Sequence, residues 1–161
     1  MKVIEFQEKY FEQTCKLLAD FRVTLRAFKN IKSEPDIDSA RQELKWAIDD
    51  KWPIYLVEEN NNIVGYMLLR IDDCVWVEHI YVTPSFRRKG VASLLYNKAE
   101  DVSKSIGGDT VYNFVHPNND EMMSFLRSKG YTVLNLVEVR KPYKDETLNK
   151  KYIIGNNEFD Y

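Results

Sequence analysis

Apolar residues change period several times along this chain, and each change marks an element. Residues 3–6 predict a short strand. From about residue 8 the spacing turns helical, with Phe11, Cys15 and Leu18 beside Leu17, Phe21, Leu25 and Phe28, which predicts a long amphipathic helix. After a polar stretch over 30–35, Asp36 and Asp38 are candidate N-caps for a second stripe made of Ile37, Ala40, Leu44, Ala47 and Ile48, with Pro53 beyond its end. Residues 54–57 and 63–71 predict two strands around the turn-forming Asn60-Asn61-Asn62, a hairpin. Asp72-Asp73 makes the next turn. Residues 75–82, rich in β-branched and aromatic side chains, predict a central strand. The period lengthens again from Ser85: Val91, Leu94, Leu95, Ala99, Val102 and Ile106 define a helix that Gly107-Gly108 closes. A strand over 110–115, a short helix carrying Met122, Phe125 and Leu126 up to Gly130, and a strand over 131–139 complete the pattern. The order β, α, α, β, β, β, α, β, α, β predicts an α/β fold of mixed character, a mixed sheet with helices on both faces.

A chain of 161 residues, 44% of them hydrophobic, is one domain's worth of sequence and needs no metal or disulfide to hold a core. The expectation is a single domain over 1–161, in which 141–161 is a packed tail. That tail carries Tyr143, Leu148, Tyr152, Ile153, Ile154, Phe159 and Tyr161. Residues 152–154 predict a final short strand, and the aromatics are expected to pack on the domain or on a second subunit, which leaves a homodimer open.

Charge removes some function classes. Lys+Arg 23 against Asp+Glu 25 leaves a net charge of −2, so the overall field attracts neither nucleic acid nor an anionic membrane. Cys15 and Cys74 are too few and too far apart for a disulfide framework and fit a reducing compartment. The N-terminal residues are charged where a signal peptide is apolar, and no run approaches the ~18 apolar residues of a membrane span. These features predict a soluble cytoplasmic protein.

The most informative stretch is Val82-Thr83-Pro84-Ser85-Phe86-Arg87-Arg88-Lys89-Gly90-Val91-Ala92, which joins the central strand to the long third helix. A helix N-terminus offers unpaired N–H groups and the positive end of a dipole. Gly90 and Ala92 keep the approach open, and Arg87, Arg88 and Lys89 add positive charge, so the turn suits a pyrophosphate. The alternative is a solvated basic turn before an ordinary helix. In its context, however, the Arg-x-x-Gly-x-Ala element resembles the acyl-CoA signature of the GNAT N-acetyltransferase superfamily, Q/R-x-x-G-x-G/A. Downstream, Asn119 followed by a short helix ending in Gly130-Tyr131 is similar to that family's second conserved segment. The element order also matches, from about residue 2 to 140.

The resemblance implies a mostly antiparallel central sheet whose fourth and fifth strands splay into a wedge for the pantetheine arm of acetyl-CoA. Ile80, Tyr81 and Val82 would line that arm, chiefly through main-chain groups. The pyrophosphate would rest on the backbone of Arg87, Arg88, Lys89, Gly90, Val91, Ala92 and Ser93, with Asn119 bonding the cofactor from the far side. Acetyl-CoA is the implied cosubstrate, a primary amine the acceptor, and no metal is implied. Many relatives carry a Tyr four residues before the second signature's Gly, placed to protonate the CoA thiolate; here that residue is Leu126.

Acetyl transfer to an amine needs an uncharged nucleophile. Presenting an ammonium of pKa ~10.4 as free amine at pH 7 costs roughly 4–5 kcal/mol, so a carboxylate near the thioester is useful. Glu78 is the candidate base. Strand alternation predicts Trp76, Glu78, Ile80 and Val82 on one face and Val77, His79 and Tyr81 on the other. The alternative for Glu78 is a carboxylate at the sheet margin paired with an Arg or Lys. His116, near the end of the fifth strand, is a candidate acid, although such a His more often caps a strand end or bonds a backbone carbonyl; His79 is expected to be structural. Glu34, Asp36, Asp72, Asp73 and Glu78 could favour a cationic acceptor, although turns and helix caps use the same residues. The competing function class is a GNAT-like module that binds acyl-CoA without turnover, which Leu126 favours.

Overall fold

In the computed structural model, which describes residues 1–161, the chain divides into two compact units, Met1–Phe125 and Leu126–Tyr161. The first contains a five-stranded sheet in the order β1 (Lys2–Glu5), β2 (Ile54–Glu59), β3 (Asn62–Ile71), β4 (Val75–Val82), β5 (Val111–Asn113). Neighbouring strands are antiparallel except β4 and β5, which are parallel, so the sheet is mixed and mostly antiparallel. The helices are α1 (Phe11–Ala27), α2 (Ile37–Asp49), α3 (Val91–Ser105) and α4 (Asp120–Ser128), and the boundary between the units falls within α4. None is long and apolar enough to cross a membrane.

Phe21 of α1 packs edge-on against Tyr66, whereas Val91 of α3 abuts the preceding residue, Gly65. Adjacent strand residues face opposite ways, so α1 and α3 cover opposite faces. The α1/α2 face holds a core of Cys15, Leu18, Leu44, Leu56, Tyr66, Leu68 and Tyr81. Burial pushes the Cys15 thiol up to about 11, so it packs as a small apolar group. Of the two candidate caps for α2, Asp36 does the work: its carboxylate accepts the Ser39 N–H at 2.9 Å, while Asp38 pairs with Arg41 at 2.7 Å.

Three expectations are corrected. Strict alternation along β4 fails because Leu68 pairs with His79 and Leu69 with Val77, which leaves Glu78 as an extra, bulged residue. Arg70, on the same face of β3 as Leu68, pairs with Trp76. The bulge therefore puts Trp76 on the side of His79 and Tyr81, and Val77 with Ile80 and Val82. The strand predicted over 110–115 forms only at Val111–Asn113, the stretch that has β4 beside it. The strand predicted over 131–139 does not form; the residues are irregular and belong to neither sheet, and a strand exists only within a ladder.

The second unit contains a hairpin, β6 (Lys151–Ile154) with β7 (Asn157–Asp160), closed by reciprocal backbone bonds between Lys150 and Tyr161 at 2.8 and 3.0 Å. The predicted 152–154 strand is thus present. Its partner went unrecognised, although Gly155, at φ +61°, marks the turn between them.

Candidate active site

β4 and β5 pair through Val75–Val111, Trp76–Tyr112 and Val77–Asn113 and no further, although β4 continues to Val82. From Glu78 onward β4 has a ladder partner only on its β3 side, and the two strands part. The end of β5 is held by the buried Tyr96 of α3, whose hydroxyl lies 3.0 Å from Asn113 Oδ1 and 2.7 Å from Asn113 Nδ2.

At the exit of β4, the Thr83 N–H and hydroxyl both donate to the Val64 carbonyl, at 3.0 and 3.2 Å, which anchors the strand end to β3. A single 3-10 turn over Pro84–Phe86 follows. Arg88 and Gly90 then take positive φ, +60° and +86°, and the first bond of α3 runs from the Leu94 N–H to the Gly90 carbonyl at 3.0 Å. The amides of Arg88, Lys89, Gly90, Val91, Ala92 and Ser93 have no acceptor within the chain. Gly65 lets this turn sit close: a Cβ there would lie 2.9 Å from Val91 Cγ1 and 3.0 Å from the Tyr81 carbonyl. Arg87 folds back, its Nε donating to the Val82 carbonyl at 3.3 Å with a loose contact to Glu121 at 3.5 Å. Lys89 lies over Phe86, and Arg88 makes no ion pair.

Glu78, the first β4 residue past the last β4–β5 pair, accepts from Arg70 Nε at 2.7 Å. Arg70 also pairs with Asp72 and lies over the Trp76 ring, which in turn stacks on Phe114 at 4.6 Å. Asn119 caps α4 by accepting the Met122 N–H at 3.1 Å on Oδ1, and its Nδ2 has no partner within the chain. His116 Nδ1 accepts the Asn118 N–H at 3.2 Å and the ring stacks on Phe28, while Asn118 Nδ2 donates to the Phe28 carbonyl at 2.9 Å. His116 thus braces the loop after β5 against α1. Leu126 is buried, 6% exposed.

A cavity of about 150 Å³ opens between α1 and α2, lined by Arg22, Arg26, Glu34, Asp36 and Glu43 among others. Arg22 and Glu43 in its lining belong to a polar network that sequence reasoning missed. Arg22 and Glu43 pair side by side, Nε to Oε2 at 2.9 Å with a second contact through NH2. The same Arg22 NH2 lies 3.2 Å from His79 Nε2, and His79 Nδ1 is 3.4 Å from the Tyr66 hydroxyl. Burial, reinforced by the Arg22 charge, lowers His79 to about 4 and outweighs the opposing pull of Glu43, so His79 is neutral at pH 7 and Nε2 accepts from Arg22. The residues come from α1, α2, β3 and β4, up to 57 positions apart, and nothing local in the sequence links them.

Comparison with known proteins adds family and fold. The model of the acetyltransferase (GNAT) family matches residues 15–131. An uncharacterised N-acetyltransferase of Methanocaldococcus jannaschii is 27% identical over 111 residues, 62% of this chain and 48% of that protein, so the chain spans about half the length of this curated relative. Among solved structures, the aminoglycoside 6'-N-acetyltransferase AAC(6')-IG of Acinetobacter haemolyticus aligns with a TM-score of 0.67 at 19% identity, over 90% of this chain and 100% of that one. The enzyme AAC(6')-Iy, solved with the bisubstrate analogue CoA-S-monomethyl-acetylneamine, aligns at 0.67 and 17% identity over 88% and 98%. A ribosomal-protein-alanine N-acetyltransferase of Brucella melitensis gives 0.67 and 15% over 89% and 100%. At such identities the structural likeness carries the fold, and the family model carries the membership: this chain belongs to the GNAT acetyltransferase family.

Proposed function

We propose that this protein transfers the acetyl group of acetyl-CoA to a primary amine. The observation that carries the reading is the continuity of open backbone: β4 parts from β5 at Glu78 and leads directly into six amides without acceptors beside three cations. A pyrophosphate supplies the acceptors those amides lack. The free edge of β4 at Ile80, Tyr81 and Val82 suits the amide-bearing pantetheine arm, and the unpartnered Nδ2 of Asn119 is a further donor. The solved AAC(6')-Iy complex shows that the fold accommodates a CoA-linked amine in that enzyme.

In this reading the bulge aims Glu78 at the acceptor, and Arg70 holds the carboxylate in place. Glu78 takes the ammonium proton, directly or through water. The amine then attacks the thioester carbon, a C–N bond forms, and the negative charge on oxygen meets a main-chain N–H near Ile80. As the C–S bond breaks the nitrogen gives its second proton to solvent, and the thiolate, already a fair leaving group, takes a proton from solvent. His116, engaged with Asn118 and Phe28, keeps the loop in place.

Glu78→Gln should lower kcat about 100-fold with the acetyl-CoA KM nearly unchanged; unchanged turnover would remove Glu78 from the mechanism. The buried Leu126, where many relatives have a Tyr, favours a second reading, an acyl-CoA-binding module without turnover. Assay of the pure protein with acetyl-CoA and a panel of amines separates the two: CoA binding with no acetylated product on any amine supports the module.

A further inference from the structure

β4 and β5 last pair at Val77 and Asn113, so Glu78 and Phe114 are the first residues past the split, one on each strand. Neighbouring strands run about 5 Å apart, so the two begin side by side. A row of contacts joins their side chains. Phe114 stacks on Trp76 with centroids 4.6 Å and planes 13° apart, and Tyr112 flanks the same indole at 4.9 Å. Arg70 lies over the Trp76 ring at 5.4 Å while its Nε donates to Glu78 at 2.7 Å. Phe114 nevertheless stays 56% exposed. A lone exposed apolar side chain needs no explanation, but this ring is held nearly parallel to a second one, which fixes an aromatic face toward solvent beside the candidate base.

We propose that Phe114, seated on Trp76, is the platform for the acceptor, and that the acceptor is a primary amine carrying a flat aromatic group on a short linker. The inference rests on the acetyl-transfer reading and adds the substrate class to it. A ring stacked on the outer face of Phe114 buries apolar area that a bare alkylamine leaves wet, and offset stacking limits where the ring, and so the amine, can lie. The charge beside the platform suits the other end of the molecule. Glu78 and Asp72 share one guanidinium, Arg70, and Asp73 makes no ion pair, which leaves a local excess of negative charge for an ammonium. The strand spacing at the split keeps the linker short, about two or three carbons. Arg70 both holds Glu78 and covers Trp76, so one guanidinium orders the base and the platform together.

Calorimetry of the CoA-bound protein tests the platform without turnover. Phenethylamine should bind about tenfold more tightly than butylamine. Phe114→Ala should bring the two amines to within about threefold of each other, whereas Phe114→Tyr, which keeps a ring, should preserve the preference. In the acetyl-transfer assay the same difference should sit in the amine KM rather than in kcat. Equal affinities for the two amines in the wild-type protein would overturn the proposal, and that measurement needs no variant to fold. A tenfold preference that survives Phe114→Ala in a protein with wild-type circular dichroism would overturn it too, because the ring would then lie elsewhere. The acetyl-transfer reading fails separately. Ring-selective binding with no acetylated product from any amine would overturn turnover and leave the platform standing, while butylamine acetylated as readily as phenethylamine would overturn the platform alone.

Discussion

Around Gly90 six successive amides have no acceptor within the chain, whereas around His79 each polar side chain meets another within 3.4 Å. Both regions lie on β4 or its exit, yet water is available to one and mostly excluded from the other. Open amides at a hydrated turn cost little, because solvent bonds to them until an anion replaces it. Under α1 the buried His79 and Tyr66 have no such substitute, while Arg22 and Glu43 keep part of their surface at the cleft. Arg22 and Glu43, in the wall of the cleft, and the buried His79 and Tyr66 therefore bind one another. The contrast leaves donors open at the turn and satisfies them within the chain under α1.

Titration tests the closed half of this contrast and carries the largest expected effect. His79 sits at about 4 in the folded chain against an ordinary 6.5, so between these values the unfolded chain binds a proton that the folded chain does not. The His79 contribution is complete above pH 6.5 and is lost as pH falls toward 4, by up to about 3 kcal/mol. Urea denaturation of His79→Gln should show stability falling less steeply over that window, by up to one proton. An unchanged slope would mean that the wall is wet.

Gly65 tests the link between the two regions. Gly65→Ala places a methyl 2.9 Å from Val91 Cγ1 and 3.0 Å from a backbone carbonyl that cannot swing away. A loss of about 2 kcal/mol is expected on denaturation. If the turn holds the pyrophosphate as proposed, CoA affinity should fall with it, since Val91 starts α3. Full CoA affinity in a destabilised Gly65→Ala would separate the turn from its support.

The open half predicts the smallest changes. If backbone amides carry most of the pyrophosphate binding, Arg88→Ala and Lys89→Ala should each weaken CoA about fivefold at low salt and less at 0.5 M, as screened surface charges do. A hundredfold loss from either, measured by calorimetry, would move the binding energy from the backbone to the side chains.

Much of the fold was legible because its signals are local. The apolar spacing of α1, α2 and α3, the Asn turn between β2 and β3, and the Asp36 cap each act within a few residues. The candidate site divides along the same line. The basic turn is written in consecutive residues, from Pro84 through Gly90, and appears where expected. The face of Trp76 was misread because a bulge is a property of two strands: only the pairing of Leu68 and Leu69 with His79 and Val77 shows that Glu78 is the extra residue. Residues 131–139 were misread for a related reason, since β propensity says that a stretch can pair but not what it pairs with.

By itself, then, the sequence determined the order of elements from β1 to α4 and the strand, basic turn and helix that leave amides open, because helix periodicity, glycine's positive φ and the unpaired start of a helix need no distant partner. The tertiary structure decided where β5 leaves β4, that Glu78 is held by Arg70, and that Arg22, Glu43, His79 and Tyr66 meet under α1. Each of these depends on the register between strands or on the packing of a helix over them, which are set by summed burial across the whole sheet rather than by any neighbouring residue.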